Sequence, residues 1–446
     1  MNWNWKFRAV WMLCLGVNDM GREMKNSGVE WIGEIPKDWH VLAVKHYFDI
    51  GRGRVISAFD LVADGKYPVY SSQTDQNGCF GYLDTYDYSG PAITWTTDGA
   101  KAGTVFYRDG YYNCTNVCGI LQIKPQYKKN SELRFLTRAI GIVAECNKRA
   151  DINGYKIMSN EMANIHFAIP SFKEQIRIVD FLDKKCDAVD ELIKQTRESI
   201  GEYKRYKSTL LTHVVTHGIC TDSVMKNSGV DWMEKVPENW KVTQLRHCAS
   251  IRSGITLGKT YSKDTELVKM PYLRVANVQD GYVDTNDVAV LQVSKEEIEK
   301  YNLSAGEVLM TEGGDRDKLG RGCVWDGRIT PCLHQNHIFA VKVKENLLNP
   351  YYLEYLTASS VGRTYFDVTA VKTTNLACTS SSKVLAFTIP LPSIEEQNEI
   401  VDYLKEKCGC IETVISKKEQ FISELENYKK SLIYEYVTGK KEVPES

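Results

Sequence analysis

The sequence predicts a mixed α/β (α+β) fold built by internal duplication, in which two α/β domains alternate with two long helices. Three observations carry this. First, Met-Lys-Asn-Ser-Gly-Val at 24–29 returns at 225–230, and Trp31, Pro36, Trp39, His46 and Gly53 return at the same offset as Trp232, Pro237, Trp240, His247 and Gly254. Second, Pro-Ser-x-x-Glu-Gln at 170–175 returns at 392–397 at a larger offset, so the second variable region is the longer one. Third, each of these later blocks opens a stretch whose apolar residues recur at alternating steps of three and four, while the regions between blocks hold short strand-like runs.

In chain order, residues 1–23 form an extension outside the repeat, and the functional chain is expected to begin near Met20 or Met24. Lys6 and Arg8 precede an apolar run at 9–17, but that run falls short of the ~18 residues a span needs. No small-x-small cleavage site follows, so it does not read as a signal peptide. Residues 24–163 and 219–384 are the two α/β domains. In the first, 92–97 and 117–123 read as strands, with turns at 98–103 and 108–110 and a helix at 133–148. In the second, 272–276 and 337–343 read as strands, with a turn at Asp280 and Gly281 and a helix at 350–363. Each domain feeds a helical segment, 164–218 and 385–440, and 441–446 is a tail.

The helical segments start sharply. Pro170 and Pro392 block any earlier helix, and Ser171 with Glu174, like Ser393 with Glu396, fits a capping box. The first seam runs Val179, Leu182, Cys186, Val189, Ile193, Thr196, Ile200, Tyr203, Lys207, Leu210 and Val214. The second runs Val401, Leu404, Cys408, Ile411, Ile415, Lys418, Ile422, Leu425, Lys429, Leu432 and Tyr436. A seam of about five heptads argues coiled coil, and ~40 helical residues make a rod of about 60 Å. The polar seam positions Thr196, Lys207, Lys418 and Lys429 are either snorkelled stems or devices that fix register.

Composition narrows the functional classes. With 446 residues, 43% hydrophobic and 25% charged, the chain is ordinary globular protein, not disordered, collagen-like or wholly membrane-embedded. Fifty-six basic against 57 acidic residues exclude a polycation, so an anionic partner must be met by local patches. Thirteen cysteines without zinc spacing point to a reduced, cytoplasmic chain with no metal and no membrane contact.

Several catalytic readings fall away on spacing. The stretch 253–260 ends in Gly-Lys-Thr, but the first glycine of a P-loop belongs at Ser253 and Gly254 comes one residue late. Cys332, His334 and His337 lie too close along one strand edge to face a common metal. Gly313, Gly314, Gly320 and Gly322 read as a tight turn. No methyltransferase Asn-Pro-Pro-Tyr-type motif, dinucleotide fingerprint or nucleophile elbow occurs, and the chain is expected to be non-catalytic. The loops are then the functional candidates. Gln73, Gln76 and Asn77 in the first domain, and Asn277, Gln279, Gln335 and Asn336 in the second, carry amides able to pair bidentately with adenine. Lys101, Lys156, Arg274, Arg316, Lys318, Arg321 and Lys372 offer charge for phosphates or guanine. Taken one at a time, each is equally a solvated loop residue.

Ser-Gly-Val-Glu-Trp-Ile-Gly-Glu-Ile-Pro-x-x-Trp at 27–39, the Pro-Ser-x-x-Glu-Gln helix starts and Tyr-Val-Thr-Gly-Lys at 436–440 together resemble the specificity subunit of type I restriction–modification systems, over about residues 24–440. The resemblance implies two target recognition domains, each reading half of a bipartite double-stranded DNA site, with the long helices packed as an antiparallel coiled-coil spacer. It implies modification (methyltransferase) subunits that bind S-adenosylmethionine and restriction subunits that use ATP and Mg as partners, with no cofactor in this chain. Glu174, Gln175, Glu396 and Gln397, repeated at the helix starts, are candidate partner contacts. Two alternatives stay open: a coiled-coil scaffold with two ligand-binding heads and no DNA role, and a specificity subunit of a related, non-type-I modification enzyme.

Overall fold

The computed structural model describes residues 22–152, 154–220, 222–314, 319–372 and 377–444, with the backbone alone of Lys372. The chain divides into two compact units. Unit 1 takes the described residues up to Gln195 and from Gln420 onward, and unit 2 is Thr196–Glu419. Each unit therefore holds one recognition domain together with one end of each long helix. The expected segments are cut differently, because both long helices contribute core to both units.

In unit 1, Met24–Asn26 pairs with Glu34–Pro36, and His40–Ala43 pairs antiparallel with His166–Ile169, joining the start of the domain to its end. The main sheet has the order Val105–Arg108, Ala92–Thr96, Cys118–Ile123, Phe48–Arg52, all neighbours antiparallel. Ala92–Thr96 is buried at every position because it lies in the sheet interior under the helix Leu133–Asn147. A smaller sheet sets Tyr111–Cys114 parallel to Tyr67–Tyr70.

Unit 2 repeats this plan. Lys241–Gln244 pairs with Thr388–Leu391, and the main sheet runs Ala249–Ser253, Ile338–Val343, Val308–Thr311, Gly322–Val324. Leu333–His334 lies parallel to Leu267–Leu273. The duplicated Gly53 and Gly254 have one job in both copies. A Cβ there would stand 2.1 Å from the Cys114 carbonyl oxygen and 2.0 Å from that of His334, beside the parallel bridges Arg54 to Thr115 and Ile255 to Gln335. Gly254 thus serves strand packing and not a phosphate cradle.

Some elements differ from the sequence reading. Asp98–Gly99 is a short strand at the head of its turn, and the strand expected at 272–276 ends at Leu273 before a 3-10 turn, Val275–Asn277. The helix expected at 350–363 is two helices, Pro350–Ala358 and Ser360–Thr369. Ser359 breaks it: its buried Oγ accepts from the Gly362 N–H, and a Cβ at Gly362 would meet the Leu356 carbonyl at 2.5 Å. The fold also begins ahead of residue 24, since Arg22 Nη1 lies 2.7 Å from Glu174 Oε1 and Lys37 N–H donates to the Glu23 carbonyl. Residues 1–21 lie outside the described residues.

The long helices are Phe172–His217 and Ile394–Val437. Every seam position named above is buried or half-buried. Within unit 1, Lys429 donates to Asp190 Oδ1 at 2.6 Å and Phe181 packs on Tyr436. Within unit 2, Lys207 pairs with Glu412 at 2.5 Å, and Lys418 Nζ lies 5.7 Å from the Tyr203 ring. In both units, higher numbers on one helix meet lower numbers on the other, so the helices run antiparallel. The seam lysines hold acidic or aromatic partners across it, as register devices do. Among the described residues no helix is long and apolar enough to cross a membrane.

The helix starts carry the most exact repetition. Ser171 and Ser393 cap the N–H groups of Glu174 and Glu396, but the reciprocal half of each box is absent. Glu174 instead accepts from Trp39 Nε1 at 3.1 Å, and Glu396 from Trp240 Nε1 at 3.0 Å. The adjacent glutamines are 1% and 0% exposed. Gln175 accepts from Glu132 N–H and donates to the Pro170 carbonyl. Gln397 accepts from Asn349 N–H and donates to the carbonyls of Leu347 and Pro392. These four residues bind each helix start to its own domain. The two buried amides, expected as partner contacts, are spent on bonds inside their own unit.

Replacing Gln397 by Leu leaves one N–H and two carbonyls unpaired in the core. We expect roughly 2–4 kcal/mol of destabilisation, read as a lower urea midpoint by tryptophan fluorescence, and a matching effect for Gln175→Leu.

Candidate nucleic-acid interface

Strand register gathers the loops. In unit 1 the C-terminal ends of Phe48–Arg52, Tyr67–Tyr70, Ala92–Thr96 and Tyr111–Cys114 share one end of the fold with the N-terminal ends of Val105–Arg108 and Cys118–Ile123. Loops 53–57, 71–78, 97–104 and 115–117 therefore lie together, and Gly154–Lys156 joins them through Lys156 opposite Asp98. Unit 2 does the same with loops 254–257, 274–287 and 335–337 and with residues 312–314 and 319–321, and Ala377–Cys378 joins through Gly313 opposite Cys378. The described candidate residues fall on these loops or on the strands that join them. Arg316 and Lys318 lie outside the described residues, and Lys372 is placed by its backbone alone, opposite Ala377.

Their availability differs. Gln73, Gln76, Asn77 and Lys101 are exposed, although the Gln73 amide also donates to the Cys79 carbonyl. Gln76 and Asn77 hold φ of 49° and 57°, the left-handed region, followed by Gly78 at 76°. Lys156 is paired with Asp151 at 3.0 Å, and Arg274 with Asp287 at 2.7 Å. Gln279 donates to the Ala276 carbonyl, Gln335 accepts from Val275 N–H, and Asn336 approaches His337. Arg321 is half-buried.

Asn277 is turned inward. It is 4% exposed, accepts from Arg274 N–H and donates to the carbonyls of Asp284 and Asp287, so it shapes the 274–287 loop from within.

The same end of unit 2 settles the histidines. Cys332 and His334 are buried, whereas His337 is exposed and 2.5 Å from Glu312. Burial beside Arg252 pushes His334 down to about 3, which keeps it neutral. No cluster of metal-ligating residues occurs among the described residues.

Sequence reasoning missed two arginines packed beneath the loops, one buried and one half-buried. Arg108 is 2% exposed, its Nε donating to Thr94 Oγ1 at 2.9 Å and its Nη1 to the Asn77 carbonyl at 2.8 Å. Arg252 spans Glu307 and the Asn302 carbonyl. Their one signal is an arginine at an inward or sheet-edge strand position, which no linear motif marks.

The model of the type I restriction modification DNA specificity domain matches residues 36–202 and again 237–423. The chain belongs to this family. The two matches cover both recognition domains with most of both long helices, which disfavours a scaffold unrelated to DNA. The chain is similar to a Mycoplasma pneumoniae protein described as a type I specificity subunit, S.MpnORF289P N-terminus, 41% identical over 143 residues, 31% of this chain and 74% of that one. It is also similar to the specificity subunit of the type I restriction enzyme MpnII of the same organism, 35% identical over 152 residues, 33% of this chain and 45% of that one. Among solved structures, a chain from a study of complex assembly and conformational transition of the type I restriction–modification system superposes with a TM-score of 0.65. It is 16% identical and covers 91% of this chain and 99% of its own, which shows the shared fold. Membership makes the chain a specificity subunit with two DNA recognition domains.

One carboxyl behind the unit 2 loops titrates near neutrality. Glu354 accepts from Val324 N–H at 2.6 Å, and burial, with Asp280 and Glu412 against Lys207, raises it to about 7. Folded Glu354 thus holds its proton where the unfolded chain has lost it, so its contribution is complete below about pH 4.5 and is lost as pH rises through 7. Glu354→Gln keeps an acceptor and cannot ionise. Its melting temperature should exceed wild type at pH 8 and converge on it at pH 4.5, checked by thermal unfolding across that range.

Proposed function

We propose that this chain is the recognition subunit of a type I restriction–modification complex, reading a bipartite, asymmetric double-stranded DNA site with one half-site per domain. One observation carries the reading: two copies of the family domain share a frame down to the same buried glutamine, yet present different loops at the same strand ends. Loops 71–78 and 97–104 read one half-site, and loops 274–287 and 335–337 with residues 312–314 and 319–321 the other. Exposed amides supply base contacts, and lysines and arginines supply phosphate contacts. The carboxylates now holding Lys156 and Arg274 are exchanged for phosphate on binding.

The chain does no chemistry of its own. Modification subunits carrying S-adenosylmethionine, and ATP- and Mg-dependent restriction subunits, assemble on it. It works in the cytoplasm. The names of the relatives, specificity subunits of type I enzymes, support these partners.

The test is a swap. Replacing residues 40–160 by the corresponding region of another specificity subunit, followed by methylome sequencing, should change one half-site and keep the other. Change in both half-sites overturns independent reading.

The helices act as a ruler between half-sites. Seven residues keep the 3.5-residue seam in phase and add about 10 Å at 1.5 Å each, and DNA rises ~3.4 Å per base pair. A heptad inserted after both Ile193 and Ile415 should lengthen the spacer by roughly one to three base pairs with both half-sites unchanged. Methylome sequencing reads the spacer directly, and an unchanged spacer in a methylating mutant excludes the ruler.

A further inference from the structure

Arg108 is a buried cation with no acidic partner among the described residues. It lies at the end of the edge strand Val105–Arg108 of the unit 1 main sheet, with its guanidinium carbon 3.5 Å from the Tyr70 ring centre and 4.5 Å from that of Phe106. Nε is held by Thr94 and Nη1 by the Asn77 carbonyl, while Nη2 is buried without a hydrogen-bond acceptor. A Cβ at Gly78 would come within 3.0 Å of that same Nη2. The loop therefore closes directly over the guanidinium.

The shape it holds is an unfavourable one. Gln76, Asn77 and Gly78 are three successive left-handed residues; Gly78 adopts that backbone freely and Asn77 tolerates it, but Gln76 does so at a cost. Such backbone persists where surroundings over-determine it. Three bonds do so here: Ser71 N–H donating to the Gly78 carbonyl, the charge-assisted bond from Arg108 to the Asn77 carbonyl, and Cys79 N–H donating to the Gln76 carbonyl. Removing the second frees the two amide-bearing residues to relax into right-handed or extended backbone, which turns both side chains. In unit 2 the structurally equivalent place is taken by Trp325, also buried and bonded through its backbone to Glu307. The device thus belongs to the first reader alone.

We infer that Arg108 is a positioning residue for DNA specificity: it fixes the left-handed 76–78 segment so that Gln76 and Asn77 present their amides to one half-site, without itself touching DNA. This rests on the recognition function proposed above. An arginine that met phosphate would contribute about −0.9 to the slope of log affinity against log salt. A positioning arginine leaves the slope alone and loosens base discrimination.

The experiment uses the full chain assembled with its modification subunits. The probes are duplexes carrying the bipartite site that wild-type cells methylate, found by sequencing, and the same duplexes with single base changes in either half. For Arg108→Lys, which keeps the charge and loses the double hold, we expect discrimination at the unit 1 half-site to fall about ten-fold or more. Discrimination at the other half-site should not change, and in Arg108→Gln, which removes the charge, the salt slope should stay at the wild-type value. Thr94→Val removes only the Nε partner and should loosen the same half-site by a few-fold; it decides the matter if Arg108→Lys does not fold, as judged by thermal melting. A folded variant that discriminates like wild type, or one that loses about one unit of salt slope with discrimination intact, overturns the inference. Wild-type complex with no site preference at all would instead overturn the recognition function itself.

Discussion

A single glutamine in the first turn of each long helix joins the recognition domain to the rod. Gln175 and Gln397 sit where three chain segments meet: the helix start, the strand that feeds it, and the turn that opens the domain's own helix. The backbone groups they satisfy have no water to fall back on, so a domain rotated against its helix would strand them at about 1–3 kcal/mol each. The tryptophan-to-glutamate bonds beside them, Trp39 to Glu174 and Trp240 to Glu396, act in the same direction from the opposite side. A hydrophobic contact alone tolerates sliding. A set of directional bonds inside a core does not, which makes the domain and its helix end one rigid body within each unit.

That rigidity separates two tasks along the chain. The frame residues, including Gly53 and Gly254 with their forced backbone approach, recur because their geometry admits few substitutes. The loops at the strand ends carry little of the core and are free to differ. Unit 1 builds a tight loop over a buried arginine, whereas unit 2 builds a longer one, 274–287, around the internal amide of Asn277. The same strand ends thus support unlike surfaces.

What was legible in the sequence follows from this division. The duplication and the seam could be read because they are periodic: Val179 to Val214 and Val401 to Tyr436 are buried or half-buried along their whole length. The central strands could be read from their runs of buried residue types. The loops could be placed, because equivalent strands end at equivalent glycines. What each loop residue does could not. Asn277 and Gln76 are both amide carriers in polar loops, and only three-dimensional packing makes one a scaffold and the other an exposed reader. Glu174 matched a capping box, yet its carboxylate is drawn away by Trp39 and Arg22, partners more than a hundred positions distant. Ser359 ended a helix that periodicity would have continued, through a bond to a residue three places on.

The assignment of helix ends to units also sets an order of assembly. Unit 2 is one continuous stretch, Thr196–Glu419, whose core closes with Ile400, Val401, Leu404 and Cys408. Unit 1 places Leu432, Tyr436 and Val437 in a core with Ile32, Ile35 and Trp39, and Tyr434 donates to the Trp31 carbonyl. Its closing contacts span about four hundred residues of chain, and contacts of such separation are the slow ones to form. On the ribosome the usual order of domains is therefore reversed here: the second unit in sequence is complete first. The first unit, made earliest, keeps an open apolar face until the final turns of the second helix arrive to cover it.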